Sequence, residues 1–423
     1  MGFELEAVDP EVATAIREEA KRQVFTIELI AATNYASRAV LEIQGSILAN
    51  KTLEGYPGKR YHSGYVHIDT IENLAIERAK ALFKAEHANV QPHSGVSANL
   101  AVFLSILKPG DRILAMDLAH GGHLSHGSKA SISGKYYQAS FYGVNKETEL
   151  LDYDEIMNIA TKVRPKLIIA GASAYPRIID FAKFKEIADE IGAYLLADIA
   201  HIAGFVAADE HPSPVPYADF VTFTLYKTLR GSRGGIILCK KEFARKIDAA
   251  VFPGVQGSMH IHLIAAKAVT LKLAMTQEFR HYIRQVRANA IALAKGLSEK
   301  GIRIVTGGTD NHIVLIDLRS VNLTGAQAQE LLEKVGITVN KNQIPYDPLG
   351  PEVTSGIRLG SAAVTTRGFG EDEMYEVADI IASVLFNPDN EKILREASQR
   401  VRELCLRFPL HMDRWEMGAC QIT

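Results

Sequence analysis

The chain has 423 residues, of which 47% are hydrophobic and 23% charged, and its formal net charge is −2. This length and composition are typical of a globular protein built from two or three packed units. A net charge so close to zero provides no electrostatic footprint for nucleic acid or a membrane surface, so neither is expected as a partner.

The N-terminal part, residues 1–70, is predicted to form an arm and a loop outside any sheet. Asp9-Pro10 has the pattern of a helix N-cap followed by proline at the first helical position, which predicts a helix to about Ile27. A second helix should cover Ser37–Ala49. The polar stretch Glu54–Gly64 is rich in glycine and tyrosine. It is typical either of a functional loop or of a decorated surface turn, and both interpretations stay open.

From about Ile71 the pattern alternates between helices and strands. Helices are predicted at Ile71–Phe83 and Phe181–Ile191, the second ended by Gly192. This order predicts an α/β fold with a mostly parallel, doubly wound sheet. The strands are predicted at Ala88–Pro92, Arg112–Met116, Lys135–Gly143, Lys166–Ala172 and Ala193–Ala197, with a return strand at Gly234–Lys240.

Two loops in this region carry candidate ligand-binding residues. Ser94-Gly95 opens a helix that should run to Leu107. Free N–H groups at a helix start form a phosphate site, although an ordinary serine N-cap has the same pattern. His120, His123 and His126 lie close together, but their spacing does not match a zinc-binding helix. We expect no metal, and instead a loop that places one imidazole over an aromatic ring.

A lysine and an aspartate each follow an apolar strand. Taken alone, Lys227 is more often a solvated charge at a strand end, and Asp198 is more often an N-cap. The carboxyl ends of parallel strands, however, meet at one edge of a sheet. Pyridoxal phosphate needs a lysine for its aldehyde and a carboxylate for its pyridine nitrogen. The pair therefore predicts a pyridoxal phosphate site with Lys227 as the Schiff-base lysine.

The pattern changes after Gly257, where a long helical region is predicted at His260–Lys300. We expect residues 71–280 to form a large cofactor-binding domain and residues 281–423 a small C-terminal α/β domain, with roughly the last ten residues frayed. Thr324 begins a helix with capping-box spacing. The other elements are predicted at Arg303–Val305, Ile313–Asp317, Asn340–Asn342, Ser355–Gly360, Glu371–Phe386 and Asn390–Arg407.

The cysteines and the apolar runs help to predict the cellular compartment of the protein. Cys239, Cys405 and Cys420 are widely spaced, which favours reduced thiols and does not match a metal site. The acidic N-terminus does not match a secretory signal, and no apolar run reaches membrane-spanning length. We therefore expect a cytoplasmic protein.

Over about Asp9–Pro409 the sequence resembles the serine hydroxymethyltransferase family of fold-type I pyridoxal phosphate enzymes. That likeness implies a fold-type I large domain, a helical N-terminal arm and a smaller C-terminal domain. The segments that carry it are long and specific: Asn50–Arg60, Glu86–Gly95, Met116–Gly127, Gly171–Phe181, His211–Phe220 and Asn340–Pro345.

The resemblance implies a role for each matching position around the cofactor. Lys227 would bind the aldehyde, Asp198 would pair with the pyridine nitrogen, and His123 would stack on the ring. The phosphate and the ring hydroxyl would be contacted by further cofactor-binding residues, namely Ser94, Gly95, Ser173, His201 and Gly257.

The resemblance also implies the substrate contacts. Arg358 would bind the amino-acid carboxylate, as a planar guanidinium suits. The loop would contribute Glu54, Tyr61 and His62. Glu54, which handles protons in the family, and Tyr61 would come from the neighbouring subunit of a homodimer or tetramer.

The implied reaction transfers the hydroxymethyl carbon of serine to tetrahydrofolate and leaves glycine. Two alternatives stay open: the same chemistry on another amino acid, as in α-methylserine or D-alanine hydroxymethyltransferases and aldolases, and a non-catalytic pseudoenzyme, against which the retained Lys227 argues. The first alternative is favoured by departures from the family pattern at ligand-facing segments, among them Ala32, Thr33, Thr52, His62, Ser63, Val96, Tyr226, Ser232, Ser258, Ser361 and Ala362.

Overall fold

The computed structural model describes residues 3–410. Cys420 and the C-terminal residues that are expected to fray lie outside this range. The strands run in chain order as β1 Ile27–Glu28, β2 Gly55–Tyr56, β3 Lys59–Arg60, β4 His87–Asn89, β5 Arg112–Met116, β6 Gln138–Tyr142, β7 Leu167–Ala170, β8 Tyr194–Asp198, β9 Phe220–Thr224, β10 Gly235–Cys239, β11 Arg303–Ile304, β12 Ile313–Asp317, β13 Ile337–Thr338, β14 Asn340–Asn342 and β15 Gly356–Gly360.

Helices cover much of the remaining chain. None of those among residues 3–410 is long and apolar enough to cross a membrane. They are α1 Phe3–Val8, α2 Pro10–Phe25, α3 Arg38–Gln44, α4 Val66–Phe83, α5 Gly95–Ile106, α6 Ile132–Tyr136, α7 Tyr153–Val163, α8 Phe181–Ile191, α9 Ala203–Ala207, α10 Ala244–Ala249, α11 Ile261–Ala274, α12 Gln277–Glu299, α13 Gly325–Lys334, α14 Ala362–Arg367, α15 Glu371–Phe386 and α16 Glu391–Arg407.

A seven-stranded sheet forms the centre of the larger unit, in the order β4-β10-β9-β8-β7-β5-β6. Strands β6, β5, β7, β8 and β9 are parallel, and β10 returns antiparallel between β9 and β4. The mostly parallel α/β fold is therefore confirmed. Because β8 and β9 are parallel neighbours, Asp198 and the turn after Thr224 reach the same edge of the sheet.

The second unit has an antiparallel sheet in the order β11-β12-β15-β14. Leu293, Ile316 and Leu359 lie in its buried core, together with Ile27 and Leu29 of the N-terminal arm. Strand β1 pairs in parallel with β13, so the arm packs on the C-terminal unit. The division of the chain into three parts stays a prediction.

Two predicted elements differ from the observed ones, a strand of the larger unit and the long helical region that follows that sheet. The strand predicted at Lys135–Gly143 begins at Gln138, because a hydrogen bond from Tyr137 N to Ser133 O at 3.1 Å closes a helical turn before it. The helical region predicted at His260–Lys300 is two helices. The break lies at Thr276, whose hydroxyl accepts from Phe279 N and caps α12.

Helix α4 begins at Val66, earlier than the predicted Ile71. The reason lies in the preceding loop, where β2 and β3 form a short hairpin. Asp69 in the first turn of α4 accepts hydrogen bonds from Gly58 N at 2.9 Å and from Arg60 Nε at 2.8 Å. The Glu54–Gly64 loop is therefore anchored to the larger unit at its centre.

Candidate active site

Lys227 lies in the turn that follows β9, and its side chain is buried, with 6% of the residue exposed. Burial disfavours the ammonium and lowers the pKa of Lys227 to about 8, while the carboxylate of Asp198 opposes this shift. Arg358 and Arg233 lower it further. Roughly one tenth of the amine is therefore neutral near pH 7, far more than for an exposed lysine, and this fraction can attack an aldehyde.

Asp198 ends β8 and is held by three donors. Its Oδ2 accepts from Asn99 Nδ2 at 2.9 Å and from His126 Nε2 at 2.8 Å, and its Oδ1 accepts from Ala200 N at 3.0 Å. Burial alone would raise the pKa of Asp198, but the His126 and Asn99 hydrogen bonds hold it well below its usual value. The carboxylate stays charged and can stabilise a protonated base beside it.

Sequence reasoning missed both of these supporting side chains. Asn99 lies one turn into α5, where its Oδ1 also accepts from Thr222 Oγ1 at 2.6 Å. His126 belongs to the histidine-rich loop, which the sequence suggested only as a source of one stacking imidazole. The spacing of three histidines was the available signal, but it does not reveal that one of them pairs with Asp198.

His123 and His201 are neutral imidazoles in the same pocket. Burial lowers the pKa of His123 to about 4, and its Nδ1 accepts from Ser125 Oγ at 2.8 Å. Burial also holds the pKa of His201 well below its usual value, and its Nδ1 lies 3.3 Å from His312 Nε2. Because both imidazoles are uncharged, Asp198 is the group in this pocket that balances the positive charges of Lys227 and Arg358.

Arg358 extends from β15 of the second unit towards this pocket. Its Nη1 donates to Ser173 O at 2.6 Å and its Nε to Asn340 Oδ1 at 3.0 Å. Burial lowers the pKa of Arg358 to about 10, so the guanidinium is still charged at neutral pH. The Ser173 hydroxyl itself donates to Gly122 O at 2.6 Å.

Ser94 and Gly95 stand at the N-terminus of α5, beside the end of β9. Ser94 is an N-cap, since its Oγ accepts from Ser97 N at 3.1 Å. A Cβ on Gly95 would lie 2.8 Å from Thr224 Cγ2, so only glycine allows this approach. Thr224 Oγ1 is buried without a hydrogen-bond partner among the described residues. Free helix N–H groups and an unpartnered hydroxyl suit a phosphate group.

The structure does not bring the predicted loop residues to Lys227. His62 Nε2 lies 3.5 Å from Glu54 Oε2, and Tyr61, which is 69% exposed, packs edge-on against Phe252. A Cβ on Gly257 would meet no atom within 4 Å, so this glycine also faces open space. The roles of these four residues stay predictions.

Asn34, in the arm, is a further residue that the sequence did not indicate. Its Nδ2 donates to the backbone carbonyl of Lys227 and to Tyr282 Oη, each at 2.8 Å, and its Oδ1 accepts from Thr366 Oγ1 at 2.7 Å. All the hydrogen-bonding groups of this amide are therefore used. Asn34 holds the backbone from which the Lys227 side chain projects.

Comparison with known families decides what this pocket belongs to. The sequence model of serine hydroxymethyltransferase matches residues 5–381. The chain belongs to the serine hydroxymethyltransferase family. Members of this family are pyridoxal phosphate-dependent enzymes of hydroxymethyl transfer, so the predicted cofactor and the general chemistry are confirmed.

The residues of this serine hydroxymethyltransferase family member fit pyridoxal phosphate. When bound, the cofactor supplies an aldehyde for covalent attachment and a ring that withdraws electrons from a carbanion. Lys227 would provide the amine, Asp198 the carboxylate for the ring nitrogen, and His123 a flat neutral ring. The Ser94-Gly95 helix start would hold the phosphate.

We predict that Asn34→Asp impairs the placement of Lys227. A carboxylate cannot donate to the Lys227 carbonyl, so turnover should fall about tenfold or more. The added negative charge should also raise the pKa of Lys227. The measurement is the pH dependence of pyridoxal phosphate capture by the apoprotein, whose midpoint should move upward. The matched control is Asn387→Asp at the end of α15, and an unshifted midpoint in Asn34→Asp would contradict this role.

Proposed function

We propose that this protein catalyses the transfer of the hydroxymethyl carbon of L-serine to tetrahydrofolate, leaving glycine. The observation that carries the proposal is the buried Lys227 amine, with its pKa lowered to about 8, in the electrostatic range of the ionised Asp198. The family membership supports the chemistry in general. The identity of the amino acid and the use of tetrahydrofolate are the parts of this function that we propose.

Four residues of this chain have separate roles in the proposed reaction. Lys227 would hold the cofactor through its neutral amine and would take up a proton at Nζ when that amine is released. Asp198 keeps a proton on the ring nitrogen, and Arg358 binds the substrate carboxylate in a fixed orientation. Glu54 moves a proton at the hydroxymethyl oxygen. The cofactor is thus held by one unit and the carboxylate by a residue of the other.

We predict that Lys227 is the lysine that binds the cofactor. Borohydride reduction of the purified protein, followed by peptide mapping, should place the label on Lys227. Lys227→Ala should lose the visible absorbance of the bound cofactor. In the apoprotein, capture of added pyridoxal phosphate should speed up as pH rises, with its midpoint near the Lys227 pKa of about 8, and should level off above that pH, because only the neutral amine reacts. A label on any other lysine would show that the assignment is wrong.

A second candidate substrate class, α-substituted amino acids such as α-methylserine, is favoured by one contact. Thr52 Oγ1 lies 2.8 Å from Ser258 Oγ, which also accepts from Leu53 N at 2.9 Å. Two departures from the family pattern, where tyrosine and glycine are usual, thus meet beside Glu54. We infer that a small hydroxyl pair in place of a tyrosine ring leaves room beside a substrate that Glu54 contacts.

A panel of amino acids should separate the two substrate classes. We expect L-serine to be consumed with tetrahydrofolate, and α-methylserine to be used with a kcat/KM lower by no more than about 10- to 200-fold, because one methyl contributes only about 1–3 kcal/mol. Product glycine or D-alanine is measured with and without folate. Thr52→Tyr combined with Ser258→Gly should raise the preference for L-serine. A higher kcat/KM for α-methylserine would replace the first candidate, and no turnover of either would contradict the function.

We also propose a homodimer in which each site takes Glu54 and Tyr61 from the partner. The large exposed side chain of Tyr61 and the position of the loop at the surface support this arrangement. Mixing Lys227→Ala with Glu54→Gln subunits should restore about one quarter of wild-type activity, since half of the dimers are mixed and each has one intact site. Each variant alone is the control. An active monomer in sedimentation analysis would exclude the shared site.

A further inference from the structure

Lys267 is a buried cation that the mechanism above does not use. It lies on α11, and only 1% of the residue is exposed. Its Nζ donates to three backbone carbonyls, Val90 O at 2.6 Å, Pro92 O at 2.9 Å and Gly235 O at 3.0 Å. Three acceptors match the three N–H donors of an ammonium, whereas a neutral amine has only two.

These carbonyls belong to the two segments that flank the helix start at Ser94-Gly95. Val90 and Pro92 follow β4 and lead directly into that turn. Gly235 opens β10, after the turn that carries Lys227, and its N–H donates to Pro92 O at 3.0 Å. One side chain therefore holds together both backbone segments beside the expected phosphate.

The packing around Lys267 leaves no room for these segments to move closer. A Cβ on Gly234, where φ is +120°, would lie 2.4 Å from Lys267 Cε. A Cβ on Gly235 would lie 2.4 Å from Ser94 O. Gly234 therefore accommodates the lysine stem and Gly235 the helix start, so Lys267 and Ser94 pack against adjacent residues of one backbone segment.

No carboxylate among the described residues forms an ion pair with Lys267. The carboxylate that acts on it electrostatically is Glu72. Glu72 is already bonded to Arg60 Nη2 at 2.6 Å and to Gln91 Nε2 at 2.7 Å. Burial lowers the pKa of Lys267 to about 7, and the attraction of Glu72 opposes this shift. The hydrogen bonds of Nζ go to backbone carbonyls in the segments that flank the helix N-terminus.

We propose that Lys267 is a positioning residue for the phosphate group of the cofactor. It acts through the backbone of residues 90–95 and 234–235, and it sets the discrimination between pyridoxal phosphate and pyridoxal. This inference rests on the proposed attachment of the cofactor at Lys227. Loss of this role should spare pyridoxal, because the ring and the aldehyde have their own contacts. A general structural role would instead weaken binding of both aldehydes equally.

The test compares the two aldehydes on full-length apoprotein. Pyridoxal phosphate and pyridoxal are titrated separately, and covalent capture at Lys227 is quantified by borohydride trapping and peptide mapping. Lys267→Met keeps the chain length and removes the donors. It should weaken capture of pyridoxal phosphate about 10- to 100-fold. Capture of pyridoxal should change by less than about threefold, which is the size of effect expected from a substitution at a distant surface position. Inorganic phosphate should compete with pyridoxal phosphate in the wild type but not in the variant.

Lys272→Met, an exposed position on the same helix, is the matched control and should behave as the wild type. If Lys267→Met does not fold, Lys267→Gln, whose amide retains two donors, replaces it and should show a smaller change of the same kind. Equal weakening of both aldehydes, or of neither, overturns the role of Lys267. Failure of the wild type to label Lys227 overturns the proposed function itself.

Discussion

The site depends on keeping one carboxylate charged inside the protein. An isolated buried carboxylate is costly and becomes protonated unless donors compensate for the lost water. Asn99 and His126 provide those hydrogen bonds to Asp198 without adding a second carboxylate. The neutral state of His123 follows mainly from its burial, which lowers its pKa to about 4, and Lys227 and Arg358 act in the same direction. Asp198 is left as the anion that balances these two cations.

The reactive side chains are positioned by side chains that act on the backbone. Turns after strands have no ladder partners, so their carbonyls must find other donors. Asn34 satisfies the Lys227 carbonyl from 193 positions away, and Lys267 satisfies carbonyls on both segments beside Ser94. These residues fix the positions of the turns through bonds to their backbone carbonyls. The geometry of the pocket therefore depends on residues well outside the strand-end motifs.

The pocket also lies where two packed units meet. Arg358 comes from β15 and bonds to the Ser173 carbonyl of the larger unit, while His312 and His201 make a second contact between the units. The N-terminal arm packs on the C-terminal unit and brings Asn34 to Lys227. The distance between the carboxylate-binding cation and the amine is thus set by how these units dock.

The sequence by itself determined the features that depend on neighbours within a few residues. Apolar runs and their ends located β8 and β9, so Asp198 and Lys227 could be paired before the fold was known. Caps such as Ser94 and the Thr324 capping box are also local, because they join residues three apart. Only the tertiary structure decided that His126 holds Asp198, that Asn34 holds the Lys227 carbonyl and that Lys267 bonds both to the segment after β4 and to Gly235 of β10. These bonds span 32 to 193 residues. Neither hydrophobic periodicity nor helix caps indicate which distant segments of the chain will come into contact.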